Sequence, residues 1–286
     1  MPRLPGTVER DVGRGVGRRG AYTVGRGGAH TVGRAGARGG ACGLGDLAPI
    51  VRRLVALAAA LAFLAPIASP LGPSPVAASG ASLPTCLGVY RDDLTAYRDY
   101  DDWGMTLLDS ILRVPTAYAP PDLAGTGIAG GGQVRRVVRA DLRAMADAAA
   151  DAGAPIQVVS AYRSYATQVW TYGYWVGLAG LQSARLASAR PGHSEHQLGV
   201  AVDFTSLGGG DPWLYGDWAA TRAGAWMKAH AWEYGFVESY PRGHSPSTTC
   251  YQYEPWHFRY VGIDTAGAIR AADTTLREYL WDLQPQ

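Results

Sequence analysis

The chain has 286 residues, 47% of them hydrophobic, and a formal net charge of +2. The length exceeds one typical domain of about 150 residues, but the charge is unevenly placed: residues 1 to 78 carry ten Arg against three acidic residues, and the remainder carries 16 basic against 21 acidic. The part able to fold is therefore mildly acidic, which argues against nucleic acid or an anionic polymer as its partner.

Residues 1 to 50 hold 14 of the 38 glycines and repeat Val-Gly-Arg at Val24–Arg26 and Val32–Arg34. They offer too few large apolar side chains to offset chain entropy, so a disordered Arg/Gly-rich leader is expected. Arg/Gly tracts also suit RNA, but the next segment favours a discarded leader. Arg52 and Arg53 precede twelve apolar residues, Leu54 to Ala65, which end at Pro66 and give way to small residues through Ala78. This is a secretory signal pattern, shorter than the roughly twenty residues that span a bilayer. The expected domains are the leader at 1–50, a signal peptide at 51–78 and one folded domain at 79–286. A start at Val51, if its codon permits, leaves an ordinary signal peptide, with cleavage after Ala78. Membrane contact is then transient, and the product is secreted or cell-wall associated. Of three cysteines, Cys42 leaves with the leader, and Cys86 and Cys250 form an even pair in an oxidising compartment, where a disulfide is expected.

Leu83 to Pro121 is rich in Tyr, Asp and Pro, with Tyr90, Tyr97, Tyr100 and Trp103 as packing residues and a short helix over Thr106–Leu112. Val134 to Ala152 places Val134, Val137, Val138, Leu142 and Met145 at helical spacing, and Gly153 and Pro155 end it. Ile156–Val159 then reads as a buried strand that delivers Arg163 to its end. Tyr165–Leu178 follows as an aromatic helix, and Leu181–Arg190 as a loop or lid.

From Leu198 to Phe204 the residues alternate. Val200, Val202 and Phe204 share a core face, and Gly199, Ala201 and Asp203 share the other, whose small side chains leave a floor open to a metal and a peptide. His196 and Asp203 are metal-ligand types, although alone they describe only a strand after a polar turn. A second cluster, Tyr253-Glu254-Pro255-Trp256-His257, adds an imidazole and a carboxylate. Catalytic zinc takes three N/O ligands, and His196, Asp203 and His257 make that count. Pro255 keeps Glu254 out of helical conformation, free to act as a general base toward water. Trp218–Tyr234 is a helix closed by Gly235, with Trp226 and Ala229 on one face. His193 and His244 read as solvent-exposed and are not expected to be ligands. Ala266–Leu280 is a terminal helix carrying Ile269, Leu276 and Leu280 on one side.

The ordered residues Ser194-x-His196-x-x-Gly199-x-Ala201-x-Asp203 and Glu254-x-Trp256-His257, with the upstream run Ser160-Ala-Tyr162-Arg163-Ser164-Tyr-Ala-Thr-Gln168, resemble the zinc D-alanyl-D-alanine carboxypeptidases of the VanY type over roughly residues 83 to 263. The resemblance implies zinc on His196, Asp203 and His257, Glu254 as the base, and Arg163 as the cation that stabilises the transition-state oxygen. Ser194 and Gln168 become candidate substrate contacts. It also implies an α+β fold of the hedgehog and D,D-peptidase kind: a small antiparallel sheet, helices packed on it, and zinc on the open face. The implied partner is a peptidoglycan stem peptide, cut by a monomer. L,D-carboxypeptidases and stem endopeptidases belong to the same group, and a zinc-stabilised wall-binding module without chemistry is the rival from another class. Glu254 and Arg163 argue against that rival, since a module has no use for a base and a cation beside its metal.

Overall fold

The structure, a computed structural model, describes residues 82–285. The expected leader (1–50), the expected signal peptide (51–78) and Cys42 lie outside the described residues. In chain order the elements are β1 (Asp93–Leu94), β2 (Leu112–Arg113), β3 (Leu123–Gly125), β4 (Gln133–Arg135), α1 (Arg139–Asp151), β5 (Ile156–Ser160), α2 (Tyr165–Ala187), β6 (Ala201–Ser206), α3 (Arg222–His230), β7 (Phe236–Glu238), α4 (Pro246–Thr249), β8 (His257–Tyr260), α5 (Ile263–Ala272) and α6 (Leu276–Asp282). Four strands form the central sheet in the order β5-β6-β8-β7, every pair antiparallel. This is the expected α+β class, with helices packed against a small antiparallel sheet.

The sheet's buried side chains Val158, Val202, Phe204, Phe236 and Phe258 meet Leu142, Met145 and Ala149 of α1 and Ala223 and Met227 of α3 in one core. Leu142, Met145 and Ala149 recur at helical spacing and are wholly inaccessible. Burying each large apolar side chain contributes about 1.5–3 kcal/mol relative to exposure. Thr221 caps α3 by accepting the Gly224 N–H, and Gly235 closes the helical stretch in a left-handed turn (φ 81°). A Cβ at Gly235 would lie 2.8 Å from the Tyr260 ring, so close packing forbids a larger residue there. A second cluster joins Leu107 and Val261 to Ala266 and Ile269 of α5 and Leu276 and Leu280 of α6.

Several expected elements differ. Thr106–Leu112 is not helical, because the Asp109 carboxylate accepts the N–H groups of Ile111 and Leu112 (2.7 Å each) and folds the backbone into a turn. The helix expected from Val134 begins at Arg139, since Gln133–Arg135 pairs with β3 and Val137 is 43% exposed. Helix α2 runs on through most of the expected loop, to Ala187, with a break at Gly180 (φ 78°). The Trp218–Tyr234 stretch is α3 flanked by 3-10 turns. The terminal helix is two helices, divided where Asp273 turns left-handed (φ 49°) and Thr275 and Glu278 form a capping box. Cys86 and Cys250 are disulfide-bonded, with Cα atoms 5.1 Å apart and a sequence separation of 164.

Candidate active site

Register aligns the chemistry. Ser160 on β5 pairs with Asp203 on β6, and Asp203 pairs with His257 on β8, so three side chains from distant segments stand in one row across the sheet. A bulge between Val158 and Ser160 sets the β5 end of that row. A slip of one residue would turn Asp203 into the core and Val202 or Phe204 out of it, so the apolar burial of β6 is what holds the carboxylate in place.

His196 lies in a 3-10 turn, Glu195–Leu198, that ends at Gly199 in the left-handed region (φ 72°). The reason for glycine is not an open metal floor, as the alternation suggested. A Cβ there would press on Leu123 and Arg135 at 3.0–3.1 Å, and the turn itself needs positive φ. The turn is anchored reciprocally to the end of β5. His196 Nδ1 lies 2.7 Å from the Ala161 carbonyl, and the Arg163 N–H donates to the His196 carbonyl at 3.2 Å.

His196, Asp203 and His257 are buried, and their candidate ligand atoms lie within 4.8 Å of one another. His196 Nε2 is 3.2 Å from Asp203 Oδ2 yet makes no hydrogen bond, an orphaned buried nitrogen aimed into the cluster. His257 Nδ1 is 2.8 Å from Asp203 Oδ1. Two imidazoles and a carboxylate around one point are an N/O set of the kind that holds catalytic zinc, a borderline-soft ion, and the orphaned nitrogen completes the fit. Burial and the nearby Arg163 push His196 down to about 4, keeping it neutral and able to ligate. Burial acts the same way on His257, but its hydrogen bonds to Asp203 and Glu195 outweigh it and hold the pKa up at about 10 in the metal-free protein.

Two glutamates flank the cluster with opposite properties. Burial pushes Glu254 up to about 8, and its carboxylate has no hydrogen-bond partner among the described residues. Pro255 and a His257 N–H to Glu254 carbonyl bond of 3.0 Å turn the segment back so that Glu254 feels the charges of His257, Asp203 and Arg163. For Glu195 burial is also the largest influence, but the Arg259 guanidinium and His257 overcome it and hold the carboxyl at about 2. Glu195, Arg259 and Tyr240, which stacks on His257 with centroids 5.0 Å apart, were not singled out from sequence. Glu195 and Arg259 each adjoin a ligand motif, and charges of opposite sign inside otherwise apolar strands and turns were the available signal.

Arg163 is held by three groups: its Nε donates to Gln168 Oε1 (2.9 Å), and its Nη1 to Ser160 Oγ (2.7 Å) and, more weakly, to Asp203 Oδ2 (3.5 Å). Its side chain keeps 20% of its surface open. Gln168, a candidate substrate contact by sequence, is wholly buried and donates its amide to the Ala189 carbonyl (2.7 Å), so it orients Arg163 and touches no open surface. Ser194 is 2% exposed at the start of the His196 turn, and its side chain has no hydrogen-bond partner among the described residues. His193, expected at the surface, is buried and bonded to Asp92 Oδ1 (2.9 Å) and the Asp109 carbonyl (2.7 Å). His244 is exposed.

Residues 131–263 match the family model VanY, D-alanyl-D-alanine carboxypeptidase. YodJ of Bacillus subtilis is 36% identical over 182 residues, covering 61% of this chain and 66% of that protein. A D-alanyl-D-alanine carboxypeptidase of Enterococcus faecalis is 31% identical over 193 residues, covering 64% and 67%. The chain thus spans about two thirds of the length of these relatives. Among solved structures, the LdcB LD-carboxypeptidase superimposes with a TM-score of 0.58 at 31% identity, covering 68% of this chain and 98% of that one. The D,D-pentapeptidase VanY of the VanB-type resistance cassette, solved as a variant in complex with Zn(II), gives a TM-score of 0.53 at 28% identity, covering 62% and 99%. Fold and site together define a zinc peptidase of the α+β kind. The chain belongs to the VanY family of D-alanyl-D-alanine carboxypeptidases.

Proposed function

We propose that the protein hydrolyses a peptide bond near the C-terminal end of a peptidoglycan stem peptide, in the first instance releasing D-alanine from a D-Ala-D-Ala terminus. The observation that carries this is the convergence of three candidate metal ligands, an unpartnered carboxylate and a braced guanidinium: Asp203 and His257 on one row of the sheet, and His196, Arg163 and Glu254 on the segments that flank it. His196 through Nε2, His257 through Nδ1 and Asp203 would hold the zinc. When bound, zinc supplies Lewis acidity, polarising a carbonyl oxygen and making water a nucleophile near neutral pH.

The remaining work falls to the chain's own residues. Arg163, fixed by Gln168 and Ser160, presents its free N–H groups to the oxygen on which negative charge develops as the carbonyl is attacked. Glu254 accepts the proton that the attacking water loses and returns it to the amine of the departing D-alanine, so the acid ends the cycle in its starting state. Burial places its pKa at about 8, and beside a bound dication the Glu254 carboxyl would shift down toward the ionised form a base requires. Export to the wall is supported by the signal pattern of residues 51–78 and by the Cys86–Cys250 disulfide.

The LdcB likeness supports a second reading, cleavage of an L,D bond. Both are decided by incubating the zinc-loaded protein with defined penta- and tetrapeptide stems and weighing the products. Loss of one alanine from the pentapeptide is expected. Trimming of the tetrapeptide alone would select the L,D reading, an internal cut the endopeptidase reading, and no cleavage with zinc bound the binding-module reading.

A further inference from the structure

We propose that Glu195 is a positioning residue for the metal site: clamped by Arg259, it accepts the hydrogen bond from His257 Nε2–H, keeps the proton on that nitrogen, and so commits the imidazole to ligation through Nδ1. The inference rests on the zinc reading of the cluster and adds a residue that the ligand count does not require.

Both carboxylate oxygens of Glu195 are engaged. Glu195 Oε1 accepts from Arg259 Nη1 at 2.9 Å, while Oε2 accepts from Ser239 Oγ at 2.7 Å and faces His257 Nε2 at 2.9 Å. Both ends of the ion pair are deeply buried, Glu195 at 4% exposure and Arg259 at 0%. Arg259 is itself pinned by the carbonyls of Trp103 (2.8 Å) and Thr106 (2.7 Å), so the carboxylate cannot swing away. A buried pair of this kind adds little net stability by itself. Its placement instead fixes one nitrogen of His257 as a donor. With the proton on Nε2, the lone pair sits on Nδ1, the atom that faces Asp203 Oδ1 at 2.8 Å inside the ligand cluster. His196 is fixed in the complementary sense, its Nδ1 spent on the Ala161 carbonyl and its Nε2 left for the metal. The two histidines therefore ligate through different nitrogens, each set by its outer partner. Tyr240, stacked on the His257 ring at 5.0 Å, opposes rotation about the remaining torsion.

The test uses the full chain loaded with zinc alone. Zinc affinity is measured by chelator competition in the wild type, Glu195→Ala and Glu195→Gln, with the fold checked by near-UV circular dichroism. Glu195→Ala is expected to weaken zinc binding about 10- to 100-fold, and Glu195→Gln, which keeps an acceptor for Nε2–H, to recover a large part of that loss. A folded Glu195→Ala with wild-type affinity would overturn the proposal while leaving the zinc site standing; a wild type that binds no zinc would instead overturn the metal reading. Removing the carboxylate strands Arg259, so the alanine variant can fail to fold. Long-range nitrogen–proton spectra of the zinc-loaded wild type with labelled histidine then decide: a protonated Nε2 on His257 is expected, and a protonated Nδ1 with Nε2 on the metal would refute the assignment.

Discussion

Asp203 and His257 are register partners on neighbouring antiparallel strands, and their side chains meet with Oδ1 and Nδ1 2.8 Å apart. Two ligands separated by more than fifty residues in sequence are thus placed by the hydrogen-bond ladder itself, and the third, His196, is hung from the end of β5 by the Ala161 carbonyl. A metal site built this way inherits its precision from the core beneath it, where Val202, Phe204 and Phe258 are almost wholly buried.

Removal of one ligand should therefore empty the site and leave the fold. His196→Ala is expected to purify with little zinc, and elemental analysis against protein concentration checks it. Full zinc stoichiometry in that variant would show that another residue completes the site.

Zinc uptake should expel a proton. In the metal-free protein His257 keeps its proton up to about 10 and His196 loses its own near 4, so between pH 7 and 9 the proton displaced on ligation is that of His257. Calorimetric titration in buffers of different ionisation enthalpy should report about one proton released near pH 9, rising toward two near pH 7 where Glu254 is also protonated before the metal binds, with affinity weakening as pH falls through that window. The same shift has a stability consequence: because the folded pKa lies above the ordinary 6.5, the charged ring stabilises the metal-free fold fully below pH 6.5, and that contribution fades as pH rises toward 10. Zinc binding without proton release would contradict both statements.

The ligand row and the base could be named from sequence because each sits in a short segment whose local pattern is informative. His196 and Asp203 flank an alternating apolar run, and Glu254 is separated from His257 by a proline that forbids helix. The antiparallel order of the sheet was not visible in periodicity and came with the family resemblance. What the sequence hid were contacts made across long separations. Glu195 looks like a surface residue until Arg259 arrives from β8, and Gln168 faces the wrong way to meet substrate once Arg163 and Ala189 have taken its amide. The helix expected over 106–112 is absent because the Asp109 carboxylate takes the N–H groups of Ile111 and Leu112 that a helix would have used.

Arg163 is braced so that its guanidinium is already aimed when substrate arrives. Arg163→Lys keeps the charge but loses the Nε bond to Gln168, and kcat should fall about 10²- to 10³-fold with zinc content unchanged. Gln168→Leu, which leaves Arg163 present but loose, should cost up to about 10²-fold. A Gln168→Leu enzyme with wild-type kcat would show that the brace is dispensable.

The disulfide ties the start of the described chain to the segment just ahead of Glu254. Replacing Cys86 and Cys250 by serine should lower stability by up to about 5 kcal/mol in the chain-entropy picture, given the 164-residue separation. Urea unfolding of the serine double variant against the oxidised wild type checks this, and coincident midpoints would refute it.

The account turns on Glu254 as a base that binds no metal, and Glu254→Gln tests that most directly. The substitution conserves size, removes the proton acceptor and leaves His196, Asp203 and His257 in place. Turnover of a D-Ala-terminated stem peptide, zinc content and peptide affinity are measured on the same preparation. Hydrolysis should fall about 10²- to 10⁴-fold while zinc and peptide binding persist; cleavage by Glu254→Gln at the wild-type rate would contradict the mechanism.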